Sequence, residues 1–156
     1  MTAGGLQRLV LIPVNGTALD ERAIDIGVLM AKRDHAAVTA IYVVVVPQEL
    51  PLEAEMSEAV ALGEEVLRKA EEYAASLGRD IEIELIQARA AGPAIVDEAL
   101  QRGASLIVMA TSLWRRAGEI TFGRTTVPYV LKNAPCEVLV SRRPGAPASG
   151  SQPLRR

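Results

Sequence analysis

The chain has 156 residues, enough for one globular domain, and carries 17 Lys and Arg against 19 Asp and Glu, a net charge of -2 that lacks the basic excess of a nucleic-acid binder. Aromatic content of 3% leaves too few rings for a base-stacking platform, while 49% hydrophobic residues provide for an aliphatic core. A single cysteine, Cys136, and a single histidine, His35, exclude an internal disulfide, a cysteine zinc cage and a His-rich metal centre.

Residues 6–14 are an apolar run ending in Pro13-Val14-Asn15-Gly16, which predicts a buried strand and then a turn. Thr17, with Asp20 three residues on, has the spacing of a capping box. Ala23, Ile24, Gly27, Val28 and Ala31 then repeat at helical spacing up to Asp34-His35. Residues 37–46 contain Val38, Ile41, Tyr42 and four consecutive valines, and predict a parallel strand buried on both faces. A long helix is expected over residues 57–77. Its apolar stripe is Ala59, Gly63, Val66, Ala70, Tyr73 and Leu77, its wet side carries the pairs Glu64/Arg68 and Glu65/Lys69, and Gly78 is its left-handed cap.

Ile81, Ile83 and Leu85 alternate with Glu82 and Glu84, as on an edge strand. Gly92-Pro93 opens a short helix with proline at its first position, and Gly103 closes it. Residues 106–109 predict another buried strand, residues 111–121 a polar connection, residues 123–133 a helix and residues 136–140 a last strand. From Arg142 onward Arg, Pro, Gly, Ala and Ser dominate, so the chain divides into a domain over residues 1–143 and a disordered tail over 144–156. The longest apolar run, residues 41–46, falls far short of the roughly 20 residues that span a bilayer. The amino terminus lacks the charged and long apolar regions of a signal peptide, so a cytoplasmic location without membrane insertion is expected.

Alternating strands and helices predict an α/β fold, a single doubly wound sheet of five parallel strands in the order 3-2-1-4-5. In such sheets ligands lie beyond the carboxyl ends of the strands, where the strand order reverses. The candidate positions are therefore the turn after the first strand from Pro13, Val14 and Asn15 to Thr17, Val43 and Val44 at the end of the second, and the stretch MATSLWRRAGEITFGRTT after the fourth. That stretch sets Arg115, Arg116 and Arg124 against Glu119 and ends at a helix start, where free amides of Gly123, Arg124, Thr125 and Thr126 attract anions. The plainer alternative is an ordinary helix start with solvated arginines, since every helix has one. His35, remote from the crevice, reads as a surface residue, and Cys136 as a small hydrophobe; Ser112 lacks a G-x-S-x-G elbow. Trp114 is left with three roles: covering a pocket, stacking on a ligand, or packing between subunits.

Three segments, VLIPVNGT, AGPAIVDEALQRGASLIVMAT and FGRTTVPYVLKNAPCEVLVSR, give residues 6–143 a layout that resembles the universal stress protein (UspA-like) family. The resemblance implies a Rossmann-type, HUP-like fold that binds ATP or AMP, Mg²⁺ accompanying a triphosphate, a role in stress response, and at most slow ATP hydrolysis. Many members carry G-x-x-G-x9-G-[ST] after the fourth strand. Aligned on Gly123, that pattern puts Ala110 and Leu113 at its first two glycines and Arg124 at its Ser/Thr, with Thr125 one place later. Met109 and Thr111 flank Ala110, the backbone at Val43 corresponds to the adenine contact, and Asn15 stands where members often have Asp. The departures leave three readings: a nucleotide binder whose arginines 124 and 115 or 116 replace glycine contacts, a dimeric regulator without tight ATP binding, and an enzyme. The resemblance also implies a homodimer joined through the last strand at Val138, Leu139 and Val140, a strand whose apolar edge only Glu137 interrupts.

Overall fold

A computed structural model describes residues 7–112 and 123–144. Along these residues the chain runs β1 (Leu9–Pro13), α1 (Leu19–Asp34), β2 (Ala37–Val45), α2 (Ser57–Ser76), β3 (Glu82–Ala88), α3 (Ala91–Arg102), β4 (Leu106–Ser112), α4 (Gly123–Asn133) and β5 (Glu137–Arg143). All strand pairs are parallel and the order is β3-β2-β1-β4-β5, as the alternating pattern requires.

Strand alternation sorts the core into two layers. Val10, Ile12, Val38, Tyr42, Val108 and Ala110 pack with Ile24 of α1 and Val66 and Ala70 of α2. Leu11, Ile41, Ile107 and Met109 pack on the other side with Ile95 and Ala99 of α3 and Val130 of α4. The valine run of β2 is therefore covered on both faces over most of its length, although Val45, near its end, is exposed. Helix α2 lies so close to the sheet that a Cβ on Gly63 would stand 2.5 Å from the Tyr42 ring and 2.8 Å from Leu85.

Several local expectations are corrected by packing. Leu77 caps α2 and is exposed; Leu67 and Ala74 complete the buried face instead. Arg68 bonds Glu65 and Glu72, one turn either way along the exposed surface, rather than Glu64. Pro93 is the third residue of α3, after Ala91, and still lies in the first turn, where an amide has no helical acceptor. The last strand begins at Glu137 and runs on to Arg143 because β4 pairs with it as far as Ser112. Pro128 sits inside α4 and has no amide to donate to the Arg124 carbonyl. The tail expected beyond residue 144 lies outside the described residues.

The two edges differ. On β3, Arg102 of α3 ties to Glu84, to Glu98 at 2.8 Å and to Glu82 at 3.8 Å, so charge borders that edge. On β5, Val138, Leu139 and Val140 are half-buried and carry no charge.

Candidate functional site

The sheet opens where its winding direction changes. β1 pairs with β2 over five positions and β4 with β5 over seven, yet β1 and β4 pair only at Val10 with Leu106 and Leu11 with Ile107. Beyond those pairs the carboxyl ends of the two central strands share no further ladder, and this is the switch point, the place where sheets of this class take ligands. Helix α4 follows β4 and begins at Gly123, so the amides of Gly123, Arg124, Thr125 and Thr126 have no acceptor within the helix.

The structure brings most of the expected residues to this end of the sheet, with different accessibilities. Pro13, Val14, Met109 and Ala110 are buried, so they can meet a ligand only through backbone atoms. Asn15, Val43 and Thr111 are half-buried, Thr125 is exposed and Thr126 is buried. Leu113, Trp114, Arg115 and Arg116 lie outside the described residues.

The turn after β1 is held in a way the expected capping box does not describe. The Asn15 amide donates to Asp20 Oδ1 at 3.0 Å and the Gly16 amide to Asp20 Oδ2 at 2.7 Å. Thr17 donates its own amide to Asn15 Oδ1 at 3.2 Å and accepts from the Leu19 amide at 3.3 Å. Asp20 thus reaches past Thr17 to the turn itself, because Gly16 at φ +88° points two successive amides at its carboxylate. A side chain is barred there twice, by that φ and by Val66 Cγ2, 2.9 Å from where a Cβ would stand. Asn15 spends its Oδ1 on the turn, so what it can offer a ligand is its NH₂, a donor. Burial pushes the Asp20 carboxyl up to about 6, against the opposing effect of the two amides.

A cleft of about 490 Å³ opens on the α1/α2 side of the same turn. It is lined by Asp20 and Glu21 at the start of α1 and by Glu65, Lys69 and Tyr73 of α2, and shares with the expected positions only Asn15, Gly16 and Thr17 of the turn after β1. Tyr73 Oη donates to Asp25 Oδ1 at 2.6 Å, pinning α2 to α1 and pushing the Tyr73 hydroxyl up to about 12. Sequence reasoning missed this cleft, because the two helices that wall it are 40 residues apart at Asp25 and Glu65 and no spacing rule links them. Its one local signal is an Asp four residues after the Asn-Gly turn. Elsewhere, His35 takes the left-handed position at the end of α1, φ 52°, and half-buried Cys136 has its thiol pushed up by burial and then by Glu137.

These features define a doubly wound α/β domain whose strand order reverses between β1 and β4, in which no helix among the described residues is long and apolar enough to cross a membrane. The Universal stress protein family profile matches residues 8–142. Universal stress protein MJ0531 of Methanocaldococcus jannaschii is 34% identical over 145 residues, covering 89% of this chain and 84% of that one. The chain belongs to the universal stress protein family. Among solved structures, the universal stress protein from Archaeoglobus fulgidus in complex with dAMP superposes with a TM-score of 0.69 at 18% identity, over 86% of this chain and 98% of that one. A universal stress protein family protein from Arabidopsis thaliana with AMP bound gives 0.63 at 16% identity, over 91% and 97%. At those identities the likeness is one of fold.

Proposed function

We propose that this chain binds an adenine nucleotide in the crevice between the carboxyl ends of β1 and β4. The observation that carries this reading is the early end of the β1–β4 ladder, with α4 opening after β4 at Gly123. Two proteins of the same fold whose structures hold dAMP and AMP support the choice of ligand. In this reading the backbone at Pro13, Val14 and Val43 and the NH₂ of Asn15 take the adenosine end. The backbone from Met109 to Thr111, the amides of Gly123 and Arg124, and the Thr125 and Thr126 hydroxyls take phosphate. Leu113, Arg115, Arg116 and Arg124 belong to the same site, the arginines as charge partners of phosphate in place of missing glycine contacts.

Asn15, Thr111, Thr125 and Thr126 carry no carboxylate, and no group of three or more His, Cys, Asp or Glu converges among the described residues. Mg²⁺ therefore enters with ATP on the triphosphate's own oxygens and water. The protein acts as a cytoplasmic stress-response homodimer, joined through β5 at Val138, Leu139 and Val140, rather than as an efficient enzyme.

Calorimetry with ATP, ADP and AMP on the full chain and on Arg124→Ala and Gly123→Val tests the site. Saturable binding, weakened roughly tenfold or more by loss of one charge-assisted phosphate contact, is the expected result. Binding that neither substitution weakens contradicts the site. No heat from any nucleotide favours the regulator reading, in which Ala110, Leu113 and Arg124 at the family's motif positions mark lost affinity.

A further inference from the structure

We propose that the cleft between α1 and α2 is a binding site for a small organic cation, which sets an ammonium head on the Asp20 carboxylate and an apolar body along Ile24, Leu62, Val66 and Ala70. The proposal is independent of the nucleotide reading above, since the cleft meets the positions assigned to nucleotide only at the turn after β1.

The cleft of about 490 Å³ falls within the range of about 300–1,000 Å³ usual for small-molecule pockets. Its frame is fixed at two places. At the start of α1, the amides of Asn15 and Gly16 hold the Asp20 carboxylate at 3.0 and 2.7 Å. Further along, the Tyr73 hydroxyl donates to Asp25 at 2.6 Å and ties α2 to α1. Ile24, Val66 and Ala70 are buried and Leu62 is exposed, so apolar surface runs from the depth of the cleft to its rim.

Charge decides what such a cleft accepts. Glu21, Glu65 and Lys69 are exposed, where water and salt screen them, and Glu65 is already matched by Arg68 at 2.6 Å. Asp20 is the half-buried charge of the lining, and it has no ion pair among the described residues. The two amides occupy two of the roughly four acceptor sites of a carboxylate. Burial opposes its ionised form and only those amides favour it, so no cation supplies the match; the carboxyl titrates at about 6 and is ionised at pH 7.5. An ammonium brings the missing charge together with N–H donors for the remaining acceptor sites. Because the carboxylate is already held in place, binding need not order it. A neutral ligand leaves the charge unmatched, and an anion is repelled by it.

Amide NMR of the full chain at pH 7.5, titrated with phenethylamine, tests the site. Saturable shifts are expected at Gly16, Glu21, Leu62 and Lys69. The same body without charge, 2-phenylethanol, and with the opposite charge, 3-phenylpropionate, are expected to bind about tenfold or more weakly. Asp20→Asn, which keeps an acceptor for the turn, is expected to weaken phenethylamine binding about tenfold or more. Leu62→Lys, an exposed position away from the turn, sets a like charge at the rim and is expected to weaken it severalfold. Shifts that do not saturate at millimolar phenethylamine, or that fall outside the cleft, overturn the site. Equal binding of 2-phenylethanol, or undiminished binding by Asp20→Asn, overturns the part played by the carboxylate. If Asp20→Asn does not fold, the neutral probe and Leu62→Lys decide, and full-strength binding in either case overturns the proposal.

Discussion

Asp20 also makes the stability of the fold depend on pH in an unusual direction. Its folded value of about 6 lies above 3.8, so its contribution to stability is fully present below pH 3.8 and is lost as pH rises through about 6. The difference is on the order of 3 kcal/mol. Urea unfolding at pH 4.5 and 7.5 is expected to show that Asp20→Asn narrows the stability gap between the two conditions; an unchanged gap contradicts a buried, desolvated carboxylate. At Gly16, alanine meets both the positive φ and Val66, and a loss of about 1–2 kcal/mol is expected in the same assay. Tyr73→Phe, which removes the bond to Asp25, is expected to lose about 1 kcal/mol. At this scale the sequence showed which residues crowd the turn but not what they bond: the Thr17–Asp20 spacing pointed to a capping box, whereas a glycine φ that no spacing reveals turned the amides of Asn15 and Gly16 toward Asp20. Asn15 was legible as a departure from Asp, and only the turn shows that its oxygen is already engaged.

Elements were more legible than residues because their signals are periodic. The valine run of β2 and the bounds of α4 at Gly123 and Asn133 followed from pattern alone. What pattern could not supply was depth of packing. Gly63 read as one member of a stripe, but it is where α2 presses on Tyr42 and Leu85, and Gly63→Ala is expected to destabilise by about 1–3 kcal/mol in thermal unfolding, while leaving the far helix pair α3/α4 intact. The Arg68 ion pairs are exposed at both partners, so Arg68→Ala in the same assay is expected to change stability by less than about 1 kcal/mol. The exposed pairing was misassigned from spacing because a long arginine on a wet helix face can reach glutamates in either direction.

The whole molecule follows from the strand order, which fixes the switch point between β1 and β4 and leaves β3 and β5 as edges. Charge on Arg102, Glu82 and Glu84 borders one edge, while β5 presents Val138, Leu139 and Val140 between Glu137 and Arg142. Light scattering at micromolar concentration is expected to give the mass of two chains, and Val138→Lys with Val140→Lys the mass of one; a monomeric wild type contradicts joining through β5. The switch point between β1 and β4 was legible from topology, and the cleft beside the turn after β1 was not, because it arises where α1 and α2 meet in space. These two places make the decisive measurement a map of where nucleotide lands. Amide NMR spectra recorded during AMP titration are predicted to shift at Asn15, Val43, Ala110, Thr111 and the start of α4 from Gly123 to Thr126. Shifts confined instead to Glu21, Leu62 and Lys69 around the α1/α2 cleft, or no shifts at saturating AMP, would contradict binding between β1 and β4.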